Sequence, residues 1–143
     1  MLIASTGKTI SAILQILKET GMRIREALSL EWTDIDFERN AITPNHPEKG
    51  SLPRIFKISQ TLIGKINQFP KTTDHVFTKQ IRQSVSANFR LQRKRIAHKL
   101  GSLRLDKITF HTIRYWKATM EYAKTRDILH VMQLLVIRTS ETR

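Results

Sequence analysis

Thr20-Gly21-Met22-Arg23-Ile24-Arg25-Glu26-Ala27-Leu28 is the stretch from which the organisation of this chain can be worked out in both directions. Upstream, Ile10, Ile13, Leu14 and Leu17 recur at helical spacing, Ser5 or Thr6 stands where a cap belongs, and Gly21 supplies a left-handed stop. The pattern predicts a first helix that ends at Gly21. Downstream, a short second helix is expected over 23–30, with Ile24, Ala27 and Leu28 turned to a core and Arg23 near an exposed helix start. Packing behind the arginine therefore sets its position.

Further along, Asp34-Ile35-Asp36-Phe37, Ala41-Ile42-Thr43 and Arg54-Ile55-Phe56-Lys57-Ile58 read as short strands of a small antiparallel sheet. Glu38-Arg39-Asn40 and a turn rich in Pro, His, Asn and Gly separate them. Helices are expected over 61–69, 78–100 and 111–123. In the second of these Ile81, Val85, Phe89, Ile96 and Leu100 form the apolar stripe, and Asp127 caps a last helix in which Ile128, Met132 and Leu135 share a face. No repeat, linker or low-complexity segment interrupts the 143 residues, so a single domain over 1–143 is expected. The fold class is α+β, mainly helical, with a three-stranded antiparallel sheet.

Subtracting 12 acidic from 25 basic side chains leaves a net charge of +13, the footprint of a protein that meets a polyanion. Nucleic acid is the leading partner, although charge does not distinguish DNA from RNA. Arg90, Arg93, Lys94, Arg95 and Lys99 crowd the later turns of the 78–100 helix and are the expected DNA contacts. The chain has no cysteine, which excludes disulfides and thiolate metal sites. No apolar stretch approaches the roughly 20 residues that span a bilayer, and a cytoplasmic location is expected. His46, His75, His98 and His130 show no metal-ligand grouping, and Asp34 with Asp36 reads as strand-edge structure. No cofactor, metal or small-molecule substrate is implied. Trp32 and Trp116 read as packing residues.

Two guanidiniums, Arg23 and Arg114, suit bidentate, charge-assisted bonding to the non-bridging oxygens of one phosphate, a grip that strengthens as charge develops in phosphoryl transfer. Lys49 lies on a hairpin turn between them, and His111 precedes Arg114 by three residues. A flexible ammonium acid helps an alkoxide leave, and an imidazole exchanges protons near neutral pH.

Several separated blocks carry a family resemblance. The 20–28 stretch looks like a first arginine box, followed by Leu30-Glu31-Trp32-Thr33-Asp34-Ile35-Asp36; Lys49 precedes Arg54-Ile55-Phe56 as a hairpin lysine does; and His111-Thr112-Ile113-Arg114 matches a His-x-x-Arg box, with Ala118-Thr119 in register and 128–135 leading to the last motifs. In this order and spacing, from about residue 10 to residue 135, the chain resembles the catalytic domain of the tyrosine recombinase (phage integrase) family, especially its archaeal members. The resemblance implies that Arg23 and Arg114 clamp the scissile phosphate of double-stranded DNA and that His111 assists proton movement at an attacking phenol. It also implies that Lys49 protonates the leaving 5′ oxygen and that Glu26 supports the active-site arginine. The family's activity is site-specific recombination or integration through a 3′-phosphotyrosyl intermediate, without ATP or metal.

The pattern departs from the family after Leu134-Leu135. Val136-Ile137 stands where Gly-His is usual, and the sequence holds no tyrosine at the nucleophile position. Tyr115 and Tyr122 read as packing or DNA-backbone contacts. A catalytic domain truncated at both ends is therefore expected, without the amino-terminal core-binding domain and the nucleophile segment, and inactive alone. Codons exist for the tail that, shifted by one base, encode Gly-His and family-like residues, so a frameshift after about Leu135 is the expected cause. The rival expectation is a non-catalytic DNA-binding remnant that associates with itself or with a full-length recombinase. A basic RNA-binding protein would explain the charge without the ordered boxes.

Overall fold

The computed structural model describes residues 3, 6–44 and 54–126, with Thr125 described by its backbone alone. Lys49, the segment around it and the tail from 127 onward, with its expected last helix, lie outside the described residues.

Helix α1 (Lys8–Thr20) is the centre of the molecule. Ile10, Ala12, Ile13, Leu14, Ile16 and Leu17 are all buried, a span of apolar positions too wide for a surface helix with one dry stripe. The other helices pack around it: α2 (Ile24–Leu28), α3 (Gln60–Asn67), α4 (Lys79–Leu100) and α5 (Phe110–Thr125). Gly21 ends α1 with φ 75° and ψ 12°, and its N–H returns to the Leu17 carbonyl at 2.9 Å. A side chain in that left-handed conformation would be strained.

Local hydrogen bonds explain the other boundaries. Ser59 caps α3 by accepting from the Leu62 N–H at 3.1 Å, and Thr78 and Thr109 begin α4 and α5 in the same way. Glu19 at the end of α1 accepts both the Ser59 N–H and its hydroxyl at 2.7 Å. Lys65 of α3 donates to the Ser11 hydroxyl at 2.9 Å and to Gln15 at 2.5 Å. These bonds lock α3 onto α1.

The sheet orders three antiparallel strands β1 (Ile35–Asp36), β2 (Ala41–Ile42) and β3 (Phe56–Lys57). Ile35 pairs with Ile42 and Ile42 with Phe56, which puts three buried apolar side chains on one face while Asp36 and Lys57 face out. The β1–β2 connection closes through Asp36, whose Oδ1 accepts the Glu38 and Arg39 N–H groups at 3.0 Å, and through Asn40 at φ 53°.

The elements fall close to where the sequence places them, shorter in the strands and longer in α5, and α1 starts from Gly7 without a side-chain cap, so neither Ser5 nor Thr6 fills that place; the Thr6 hydroxyl donates instead to the Ile3 carbonyl at 3.0 Å. The strand expected from Asp34 is preceded by a 3₁₀ turn at Trp32–Asp34, because the buried Asp34 carboxylate folds back to accept the Glu31 N–H at 2.9 Å. Asp34 is thus a buried cap rather than a strand-edge residue. Leu100, expected on the apolar stripe of α4, is 50% exposed: the core ends at Ile96 and Ala97, and the last turn projects beyond it.

Two glycines make a test of backbone conformation. Gly64 sits inside α3 with open space where a Cβ would go, so Gly64→Ala is expected to raise stability by about 0.5–1 kcal/mol. Gly21→Ala is expected to lower it by about 1–2 kcal/mol, because alanine must adopt the left-handed conformation. Urea unfolding of the two variants, with opposite signs of change, checks both.

Candidate active site

Arg23 is the residue that starts α2. It is extended at φ −73° and ψ 150°, and its N–H donates to Glu26 Oε1 at 3.1 Å while its carbonyl accepts the Ala27 N–H at 3.1 Å. The helix therefore begins one residue later than the sequence predicts, and the Glu26 carboxylate satisfies a donor that the first turn leaves open. Met22 and Ala27, both fully buried, hold the segment from behind.

Arg114 comes from the other end of the chain. Its helix, α5, packs along α1, and its Nε–H donates to the Gly21 carbonyl at 2.8 Å across 93 residues of sequence. That acceptor lies at the carboxyl end of α1, where the helix dipole favours a cation. Burial holds the Arg114 guanidinium below the ordinary arginine range, and the Arg23 charge lowers it further. Glu26 pulls it back up, Arg54 lowers it, and the Tyr115 phenol raises it. Arg23 and Arg54 both bond to Glu26, and Arg114 bonds to the carbonyl two residues before Arg23, so the four residues share one neighbourhood. Arginine ionises so far above neutrality that the group remains a cation there.

Glu26 is the anion at the centre of this cluster. Its side chain is 1% exposed, and its second oxygen accepts from the Arg54 guanidinium at 2.7 Å. The ion pair between Glu26 and Arg54 is therefore a buried one. Arg54 itself is 9% exposed in its side chain, with its guanidinium 4.9 Å from the Phe56 ring centre. Sequence reasoning missed Arg54 as a member of the site. The available signal was an arginine immediately before an apolar strand, which requires a buried acidic partner.

His111 is exposed on the first turn of α5, one turn before Arg114 and therefore on the same side of the helix. Its ring centre lies 6.5 Å from that of Tyr115, which is 64% exposed. The start of α2 thus supplies Arg23 and Glu26, and α5 supplies His111 and Arg114, while Lys49 lies outside the described residues. Among the described residues no group of three or more histidine, aspartate or glutamate side chains could hold a metal ion.

The basic residues of α4 do not form one patch. At about 100° per residue, Arg90 and Lys94 fall on one flank and Arg95 and Lys99 on another, separated by about 140°. Arg93 differs in kind. It faces inward, donates to the Ile108 carbonyl at 2.7 Å, lies 3.5 Å from Asp106 and stacks over Phe89 at 5.5 Å, tying α4 to the 3₁₀ turn at Leu105–Lys107. Its neighbours Arg90, Lys94, Arg95 and Lys99 are exposed.

The sequence profile of the phage integrase family matches residues 2–141, and the chain belongs to that family. The crystal structure of XerA recombinase superimposes with a TM-score of 0.73 at 22% identity, covering 99% of this chain and 53% of that one. The XerH site-specific recombinase bound to its difH substrate gives 0.68 at 26% identity, over 94% and 41%. The Tn1549 transposon integrase in complex with transposon right-end DNA gives 0.71 at 17% identity, over 92% and 52%. The chain spans about half the length of these recombinases or less. No curated protein sequence matches it. Among the described residues no helix is long and apolar enough to cross a membrane.

Arg93→Gln is expected to cost about 1–3 kcal/mol, since the Ile108 carbonyl loses a charge-assisted donor. Lys94→Gln is expected to stay within about 0.5 kcal/mol, as for an ordinary surface change. Thermal unfolding of the two variants distinguishes the structural cation from the surface one.

Proposed function

We propose that this chain is a catalytic-domain module for DNA strand cleavage and rejoining, of the kind used in site-specific recombination and integration, and that its partner is double-stranded DNA. The observation that carries the reading is that the Arg114 guanidinium bonds to the carbonyl of Gly21, two residues before Arg23, whose own N–H is held by the buried Glu26, because two neighbouring guanidiniums match the non-bridging oxygens of a phosphodiester. Two solved relatives in complex with DNA, XerH and the Tn1549 integrase, support the choice of partner.

In the proposed reaction Arg23 and Arg114 hold the scissile phosphate and stabilise the charge that develops on its equatorial oxygens. A phenol oxygen attacks phosphorus, His111 accepts the phenolic proton, and the bond to the 5′ oxygen breaks as Lys49 delivers a proton to it. The product is a 3′-phosphotyrosyl ester and a free 5′ hydroxyl. Attack of a 5′ hydroxyl on that ester reverses the step and reseals a strand without ATP.

The given sequence contains two tyrosines, and neither is well placed as the nucleophile. Tyr115 follows Arg114 directly on α5 and Tyr122 lies two turns further on. We therefore propose that this chain grips DNA but does not cleave it unaided, with the phenol supplied by another segment or subunit. The alternative is a non-catalytic module that occupies recombination sites. Exposed cations on both flanks of α4 give either form a salt-sensitive grip on the backbone.

A 5′-nicked suicide duplex distinguishes the readings. Binding without a covalent adduct, and adducts only after a tyrosine-bearing carboxyl-terminal segment is supplied, is the expected result. Adducts formed by this chain alone would overturn the assignment of Tyr115 and Tyr122. Arg23→Gln and Arg114→Gln are each expected to weaken duplex binding by about tenfold, on the order of 1.4 kcal/mol, with little change in melting temperature for Arg23→Gln. Unchanged binding by both would remove the phosphate clamp.

A further inference from the structure

We infer that Arg54 is a positioning residue for the arginine clamp, acting through Glu26 and not on the phosphate itself; the inference rests on the proposed role of Arg23 and Arg114. Arg54 is too buried to be a ligand for DNA, with 9% of its side chain exposed. It lies over Phe56 at 4.9 Å, which anchors the guanidinium to the start of β3, and reaches Glu26 Oε2 at 2.7 Å. The opposite oxygen of Glu26 is engaged by the Arg23 N–H at 3.1 Å. Both carboxylate oxygens are thus held before any phosphate arrives, one by a residue just ahead of β3 and one by the backbone of the clamp.

The chemistry follows from what an unheld carboxylate would do. A buried glutamate beside two clamp arginines is a competitor for the phosphate, since it is an anion of similar geometry already inside the site. Arg54 engages that carboxylate with a third guanidinium at 2.7 Å, which fixes where Glu26 places its negative charge between Arg23 and Arg114. A planar, two-pronged cation suits this better than lysine, whose ammonium is a point charge with other reach. Arg54 also electrostatically lowers Arg114, so its removal changes the surroundings of that guanidinium directly.

The test uses the full chain labelled with nitrogen-15 and a mixed-sequence DNA duplex as probe. The Arg114 Nε–H resonance, assigned by its loss in Arg114→Lys, reports on the bond to Gly21. In Arg54→Met the resonance is expected to move in the free protein and duplex affinity to fall about tenfold. In the double variant Glu26→Gln/Arg54→Met, which removes the competing carboxylate together with its partner, affinity is expected to recover part of the loss seen in Arg54→Met but not all of it, because the counter-charge between Arg23 and Arg114 is removed as well. A role confined to stability would lower the melting temperature of Arg54→Met and leave the resonance and the affinity of the folded protein unchanged, and this outcome overturns the inference. A double variant as weak as Arg54→Met overturns the competition mechanism. If Arg54→Met does not fold, Arg54→Lys carries the test: a displaced resonance with about threefold weaker binding supports positioning, and identity with the starting protein refutes it. Absence of Arg114-dependent DNA binding in the starting protein would defeat the clamp reading, whereas the resonance of the free variants would still decide whether Arg54 positions Arg114.

Discussion

Holding guanidinium groups close together in a partly dry site costs free energy, and the arrangement of this molecule follows from how that cost is offset. Two like charges about 5 Å apart at an effective dielectric of about 20 repel by about 3 kcal/mol. Glu26 supplies the counter-charge. Its burial would itself be unfavourable without the Arg54 pair at 2.7 Å and the Arg23 N–H at 3.1 Å, so the carboxylate and the cations are stable only as a set. The Arg114 guanidinium registers the balance directly, lowered by burial and by two arginines and raised by the one glutamate.

A set of charges of this kind needs a rigid frame, and α1 provides it. Because α1 is apolar on nearly every side, the other helices pack against it, and its carboxyl end becomes a fixed point shared by both arginine boxes. Gly21 serves both. Its left-handed conformation releases the chain towards Arg23, and its carbonyl receives Arg114 from α5. The helix dipole at that end adds partial negative charge beneath a cation already crowded by Arg23.

Net charge of +13 therefore hides several kinds of work. Arg54 and Arg93 are internal ties whose charges are used up in holding carboxylates and a carbonyl. Arg90, Lys94, Arg95 and Lys99 remain on the surface, on two flanks of one helix, and there they act on a polyanion by long-range field more than by a defined contact. Arg23 and Arg114 lie between these extremes, half-buried and held by backbone. That intermediate state gives a guanidinium both fixed geometry and access to a ligand.

The sequence by itself determined the order of the elements and the chemistry of the boxes. Helical spacing in Ile10, Ile13, Leu14 and Leu17, a glycine stop at 21, and short apolar runs between turn residues are local signals, and side-chain periodicity with turn chemistry is enough to read them; the hydroxyl caps at 59, 78 and 109 came only with the structure. The tertiary structure decided which charges meet. Nothing in the spacing of Glu26 and Arg54, 28 residues apart, separates a buried pair from a surface one, and nothing in a run of five cations shows that Arg93 turns inward. Those outcomes depend on desolvation and on the direction of each side chain against neighbours distant in sequence, which exist only once α1 has gathered the other elements around it.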